Sequence, residues 1–314
     1  MTTPMFDRVA LIGIGLINSS LAHAMRRYGM AHHISIGDTN AAHCQRALEL
    51  GIADAAFTDN ALAVRDADLV VLGVPLSAVA SVAAQIGAHL KPGAIVTDVC
   101  STKASVVRDV LPHLPDSVYF VPGHPIAGTE FSGPDAGFAE VFEGRFCLLT
   151  PMPDTPRDIV ARIEAMWSRC GMTVESMDAE HHDRVLAITS HLPHLIAYTI
   201  VGTATELGKD LEEEVIRYSA SGFRDFTRIA ASDPTMWRDV FLNNRDAVLD
   251  VLARFNADFE RMQTAVRDGD GQALFDWFTR TGAIRRSIVG LQQHTPEDAK
   301  LRKSTVSSSP VEDR

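Results

Sequence analysis

Cysteine is scarce and scattered in this chain. Cys44, Cys100, Cys147 and Cys170 form no Cys-x-x-Cys pair, which excludes a disulfide framework and a thiolate zinc site and favours reduced thiols in a cytoplasmic protein. No metal site is expected elsewhere: His181 and His182 stand together, but no carboxylate or cysteine spacing completes a ligand set. They read as polar residues at a helix start. Cations are also in deficit. Lys+Arg number 29 against 40 Asp+Glu, a net charge of −11, so nucleic acid is not an expected partner. An anionic substrate has to be captured by local arginines against that field. There is no signal-peptide pattern, no apolar run expected to span a bilayer and no internal repeat. What remains is an ordinary soluble composition, 46% hydrophobic and 22% charged over 314 residues, enough for two domains with their own cores.

Short apolar runs alternate with helical patterns in the first half. Strands are expected at Arg8–Ile14, His33–Gly37, Asp68–Pro75, Ala94–Val99 and Val118–Pro122, and helices at Leu16–Tyr28 and at Ala41–Leu50, closed by Gly51. That alternation implies an α/β fold, a Rossmann-type doubly wound parallel sheet. A helix over Arg157–Cys170 and a last strand over Met172–Ser176 follow. From Asp178 the pattern is helical, and Met236–Arg267 presents one apolar face through Val240, Phe241, Val248, Leu249, Leu252, Phe255, Phe259 and Met262. The expected division is 1–177 for a dinucleotide-binding domain, 178–293 for an all-helical domain and 294–314 for a disordered polar tail.

The turn Gly13-Ile14-Gly15-Leu16-Ile17-Asn18 lies between the first strand and the first helix, the context of a dinucleotide fingerprint. Gly13 permits the tight turn, and Gly15 lets the backbone approach a pyrophosphate seated on the helix N-terminus at Leu16 and Ile17. Asn18 replaces the third glycine, which is expected to set the helix slightly further from the strand. Asp38 ends the second strand, where a carboxylate binds the adenine-ribose hydroxyls and repels a 2′-phosphate; NAD is therefore favoured over NADP. The same residue could instead cap the following helix.

Three further clusters carry chemistry. Ser101, in Thr97-Asp98-Val99-Cys100-Ser101-Thr102-Lys103, could bond a catalytic group or a nicotinamide amide, or cap a helix. His124 stands in Pro122-Gly123-His124-Pro125-Ile126-Ala127-Gly128-Thr129-Glu130, a Gly/Pro-rich turn that makes poor core material but suits a proton acceptor near pH 7, with a structural turn histidine as the alternative. In the helical half, Ser190 and His194 are four residues apart on one helix face, beside Pro193. Arg228 could fork a substrate carboxylate or form a surface salt bridge.

The segments Gly13–Ser20, Asp98–Lys103, His124–Glu130, Ser190–His194 and Gly222–Trp237 resemble those of the prephenate and arogenate dehydrogenase family of tyrosine biosynthesis, over about residues 8 to 290. The specific parts are His-Pro-x-Ala-Gly-Thr-Glu and Thr-Arg-Ile-Ala-x-Ser-x-Pro-x-x-Trp. The resemblance implies a Rossmann domain followed by a helical domain that forms a homodimer. It implies NAD-dependent oxidative decarboxylation of a cyclohexadiene carboxylate, prephenate or arogenate, by a monofunctional enzyme. It also implies roles: His124 as the catalytic histidine, Ser101 as its orienting partner, Arg228 as the carboxylate binder, His194 and Ser190 on the substrate side, and Glu130 at the pocket entrance. The competing readings are another NAD enzyme of the β-hydroxyacid dehydrogenase or imine reductase type, expected to use a lysine on the helical domain, and a non-catalytic NAD-binding protein.

Overall fold

The computed structural model describes residues 4–129, 131–206, 217 and 221–290. Glu130 and the 294–314 tail lie outside the described residues. The chain packs as two compact units, Met1–Leu252 and Ala253–Arg314.

The first unit is built on six parallel strands, β1 (Phe6–Ile12), β2 (Ala31–Gly37), β3 (Ala55–Phe57), β4 (Leu69–Leu72), β5 (Ile95–Asp98) and β6 (Tyr119–Phe120), in the order β3-β2-β1-β4-β5-β6. Every side chain of β4 and β5 is buried, as a strand covered by helices on both faces requires. The order reverses between β1 and β4, and in such sheets the crevice outside the strands' carboxyl ends takes the ligand. Helices α1 (Leu16–Tyr28), α2 (Ala41–Glu49), α3 (Asn60–Ala63), α4 (Leu76–Ile86) and α5 (Ala104–Val110) supply the crossovers. The α1 helix stops at Gly29, whose φ of 61° is left-handed, the usual glycine C-terminal signal.

Several strand bounds are shorter than the sequence suggests, and one difference matters for function. Chain direction does not simply turn after β6. Gly123–Pro125 forms a strand, β7, of a second sheet, antiparallel to β8 (Phe146–Leu149), which pairs in parallel with β9 (Thr173–Ser176). His124 is thus a buried strand residue rather than an open turn residue. The sequence hid this because glycine and proline flank it, and β8 supplies the pairing from a distance. Helix α6 (Arg157–Arg169) packs over this region through Trp167, which meets Phe142 edge-on at 5.4 Å between centroids.

The helices α7 (Ala179–Leu186) and α8 (Leu192–Glu206) are joined by a π-helical turn, Ala187–His191. Pro193, which has no N–H to give, stands just after that turn, where the ladder is already displaced. Contrary to the sequence expectation, Ala179–Glu206 is long and apolar enough to cross a membrane by length and composition; the polar residues within it masked the run. Helices α9 (Ser221–Thr227), α10 (Pro234–Asn243) and α11 (Arg245–Asp268) follow. The single helix expected over Met236–Arg267 is broken at Asn244 (φ −115°, ψ 34°), whose side-chain amide is drawn to the carbonyl of Asp183 and to Nδ1 of His191, 2.8 and 3.1 Å away.

In the second unit, α12 (Gly271–Gly290) carries Trp277, and the guanidinium groups of Arg261 and Arg280 lie 5.3 and 4.6 Å from its ring centre.

Candidate active site

The first part of the site is the β1–α1 turn. Gly13 adopts φ 81°, and a Cβ there would lie 2.6 Å from the carbonyl oxygen of Gly73, so both the conformation and the space demand glycine. Around a Cβ placed on Gly15 there is nothing within 4 Å. Gly15 is the N-terminal flanking residue of α1, and no side chain caps that helix. The amides leading into Leu16 and Ile17 are therefore free of side-chain partners at the positive end of a helix, the setting that holds a phosphate. The residues fit a dinucleotide's pyrophosphate.

Asp38 is held by two backbone amides. Its Oδ2 accepts from the amide of Ile14 at 2.9 Å and its Oδ1 from that of Asn40 at 2.8 Å. It does not cap α2; Asn40 does, accepting from Ala42. Asn18 also departs from the expectation. Its Nδ2 donates to the carbonyls of Ile12 and Gly13 at 3.1 and 2.9 Å, and its side chain fills the space over Gly73. The missing third glycine is thus offset by a glycine on the neighbouring strand's exit, and Asn18 staples the turn from within.

The second part lies at the ends of β5 and β7. Asp98 closes β5, and its carboxylate accepts from the amides of Cys100 (2.9 Å) and Gly123 (3.1 Å) and from the Lys103 ammonium. Lys103 is wholly buried and also donates to the Gly123 carbonyl at 2.6 Å. A buried charge needs such a partner set. This knot fixes the backbone on which His124 stands. His124 is 9% exposed, and its Nδ1 lies 2.9 Å from Nε2 of His182. The Nδ1 of His182 lies 2.8 Å from Asp183 Oδ1. The Asp183 carboxylate also accepts the amides of Lys103 (2.8 Å) and Ala104 (2.9 Å), capping α5 from a different element. Burial, then His182, Lys103 and His191, hold the His124 imidazole well below the ordinary histidine range. Burial also lowers His182, with Asp183 opposing it.

The third part is on the helices. His194 donates from Nδ1 to the Ser190 carbonyl at 2.8 Å and stacks on Trp237 at 3.6 Å between centroids. Burial and the nearby Arg228 charge lower its pKa. Burial takes His191 down to about 4. Arg228 starts a 3-10 turn, is exposed, and makes no ion pair among the described residues. Asp239 reaches across to the amide of Ser77 at 3.3 Å, tying α10 to α4.

The structure therefore joins His124 to the helical residues through His182, and places His194 near both Arg228 and Ser190. It does not join Ser101 to His124. The Ser101 hydroxyl is half-buried, makes no hydrogen bond among the described residues, and does not cap α5, which begins at Ala104. The sequence reading missed His182, Asp183, Asp98, Lys103 and Asn244. His182 does lie in the first helix of the helical half, as the sequence suggests, but it is buried. The available signals were Asp98 and Lys103 in a stretch otherwise apolar enough to be buried, and a His-Asp pair at the start of the helical half. Among the described residues no cluster of His, Cys, Asp or Glu could hold a metal ion, and all four cysteines are free and buried.

Two family models match the chain: the nucleotide-binding domain of prephenate dehydrogenase over residues 21–176 and the dimerization domain of prephenate dehydrogenase over residues 178–280. Among curated proteins, the cyclohexadienyl dehydrogenase of Zymomonas mobilis is 42% identical over 284 residues, covering 90% of this chain and 97% of the relative. The prephenate dehydrogenase of Bacillus subtilis is 33% identical, covering 92% and 78%. Among solved structures, the prephenate dehydrogenase of A. aeolicus in complex with hydroxyphenyl propionate and NAD+ superposes with a TM-score of 0.83 at 31% identity, covering 92% of this chain and 99% of that one.

Proposed function

The chain belongs to the prephenate dehydrogenase family, and on that premise we propose how its own residues carry out the NAD-dependent oxidative decarboxylation of prephenate or arogenate. The observation that carries the reading is a histidine, His124, buried at the carboxyl edge of a Rossmann sheet and kept neutral by that burial. When bound, NAD supplies the hydride acceptor. The Gly13–Ile17 turn holds its pyrophosphate, and Asp38 meets the adenine ribose. His124 withdraws the proton of the ring hydroxyl as hydride leaves the carbinol carbon. The bond to the ring carboxylate then breaks, its electron pair enters the ring and CO2 departs. His124 returns the proton to the phenolic oxygen. Prephenate gives 4-hydroxyphenylpyruvate and arogenate gives tyrosine. Aromatisation drives the sequence, so the protein's tasks are positioning, proton transfer and anion binding.

Arg228, an exposed cation without an ion-pair partner among the described residues, is assigned the substrate carboxylate. His194 and Ser190 line the substrate side, Ser101 is available to the nicotinamide or to His124, and Glu130 is assigned to the pocket entrance. Residues 1–177 are the NAD-binding part and 178–293 the substrate and dimerisation part. The enzyme works as a cytoplasmic homodimer in this reading. Phe259, Phe275 and Phe278 are each more than half exposed, and apolar surface of this kind on a dimerisation domain is expected to meet a second copy. Trp237 is buried within the first unit and is not part of that exposed apolar surface.

Incubation of the protein with NAD and each acid, followed by absorbance of the reduced nicotinamide and by CO2 release, tests the reading. Reduction coupled to CO2 release with at least one acid is expected. Reduction without CO2, or none with either acid, overturns it.

A further inference from the structure

We propose that His182, oriented by Asp183, is a positioning residue that fixes the tautomer of His124, placing the proton on Nδ1 and leaving Nε2 as the free lone pair. This rests on the reading of His124 as the proton acceptor.

The order of protons follows from the far end of the chain. The Asp183 carboxylate is held by two backbone amides at the start of α5, those of Lys103 and Ala104. Both of its oxygens already accept backbone N–H bonds, so it meets His182 as an acceptor. The 2.8 Å contact from His182 Nδ1 to Asp183 Oδ1 must then be a donation. A neutral His182 with its proton on Nδ1 has a lone pair on Nε2. The 2.9 Å contact between that Nε2 and His124 Nδ1 is satisfied only if His124 donates. A neutral His124 that donates from Nδ1 keeps its Nε2 unprotonated, and that nitrogen makes no hydrogen bond among the described residues. The reverse order would set two lone pairs against each other, His182 Nδ1 facing the carboxylate. Both rings are buried and drawn toward the neutral form, so the argument applies to neutral imidazoles.

The surroundings reinforce the order. Asn244 donates to the Asp183 carbonyl at 2.8 Å, which anchors the start of α7 to the α10–α11 junction. The Lys103–Asp98 pair on the β5 side fixes Gly123. The His124–His182 contact thus spans two rigid elements, and its length is set by both. A buried carboxylate orienting one imidazole is a known way to select a base-competent tautomer; here a second imidazole is interposed.

The test uses the full-length protein with NAD bound and histidine labelled with 15N. Long-range proton–nitrogen correlations at neutral pH identify the tautomer, with the His124 signals assigned by their loss in His124→Asn. In the wild type the proton is expected on Nδ1 of His124. In His182→Phe, which removes the acceptor, the proton is expected to move to Nε2. The kcat should fall on the order of 10²-fold or more, with NAD affinity and the substrate KM little changed. His182→Gln, whose side-chain oxygen can still accept, should restore the Nδ1 tautomer and part of kcat. A wild-type proton on Nε2, or an unchanged tautomer in His182→Phe, overturns the proposal. If His182→Phe fails to fold, the wild-type tautomer still decides. If the wild type oxidises neither acid, the function reading fails, while the tautomer measurement judges the positioning role independently.

Discussion

Lys103 and Asp98 form an ion pair from which solvent is wholly excluded, and the same ammonium holds the carbonyl of Gly123, the residue before His124. The pair couples the end of β5 to β7, so the strand that bears His124 is held by a framework of charge as well as by packing. Removing one member of such a pair leaves an uncompensated buried charge. Lys103→Met is therefore expected to reduce stability by about 3–5 kcal/mol. Lys103→Met combined with Asp98→Asn should lose less than the single change. Denaturant unfolding of the three proteins measures this, and a single variant as stable as the wild type would show that the pair is not sealed.

Asn18 and Gly73 should be coupled. A Cβ on Gly73 would lie 2.4 Å from Asn18 Nδ2, so Gly73→Ala is expected to distort the phosphate turn, weaken NAD binding and lower stability. Asn18→Gly added to it relieves the clash, and the cycle should give an interaction of about 0.5–3 kcal/mol. Strict additivity of the two changes, in melting and in NAD titration, would contradict the stapling role.

Much of the NAD half was legible because its signals are local. A buried parallel strand, a glycine turn and an acidic strand end each fall within a few residues, and Gly13, Gly15 and Asp38 stand where the pattern put them. The chemistry around His124 was less legible because its partners are remote in sequence. His182 arrives from another helix, and the burial of His124 depends on β8, more than twenty residues onward. Polar residues such as His182 and Asn244 look like helix surface until tertiary packing turns them inward. The break at Asn244 shows this directly, since a side chain bonding elsewhere outweighed a continuous helical period.

Asp38→Ser is expected to weaken NAD and to relax discrimination against NADP, because on the proposed ribose-binding role the carboxylate repels a 2′-phosphate, and it also holds the Ile14 amide. The NAD loss should exceed what a ribose contact alone supplies. Equal efficiency of the wild type with NAD and NADP would show that Asp38 does not face the ribose.

Arg228→Ala should raise the substrate KM about tenfold or more, equivalent to about 1.4 kcal/mol, and leave NAD affinity alone. An unchanged KM would return Arg228 to the role of a solvent-exposed side chain.

The pH response has a definite sign. His124 is acted on by His182 from α7, by His191 from the π-turn and by Lys103 from the β5 exit, with Asp183 and Asp98 bonded to His182 and Lys103 behind them; the cation and the histidines add to burial in lowering its pKa. Its neutral form therefore persists below the ordinary histidine pKa of about 6.5, and kcat/KM should hold through that value and fall only at more acid pH. Stability should fall as pH drops below about 6.5, because the unfolded chain then binds protons that the buried His124 and His191 refuse.

The most direct measurement is the turnover of His124→Asn, made alongside NAD binding and a thermal melt. With His124 as the proton acceptor, turnover falls by about 10²–10⁴-fold while NAD still binds and the fold survives, and the acid limb of the wild-type pH profile disappears. A folded, NAD-binding His124→Asn protein with near wild-type turnover and the same acid limb would contradict the assignment.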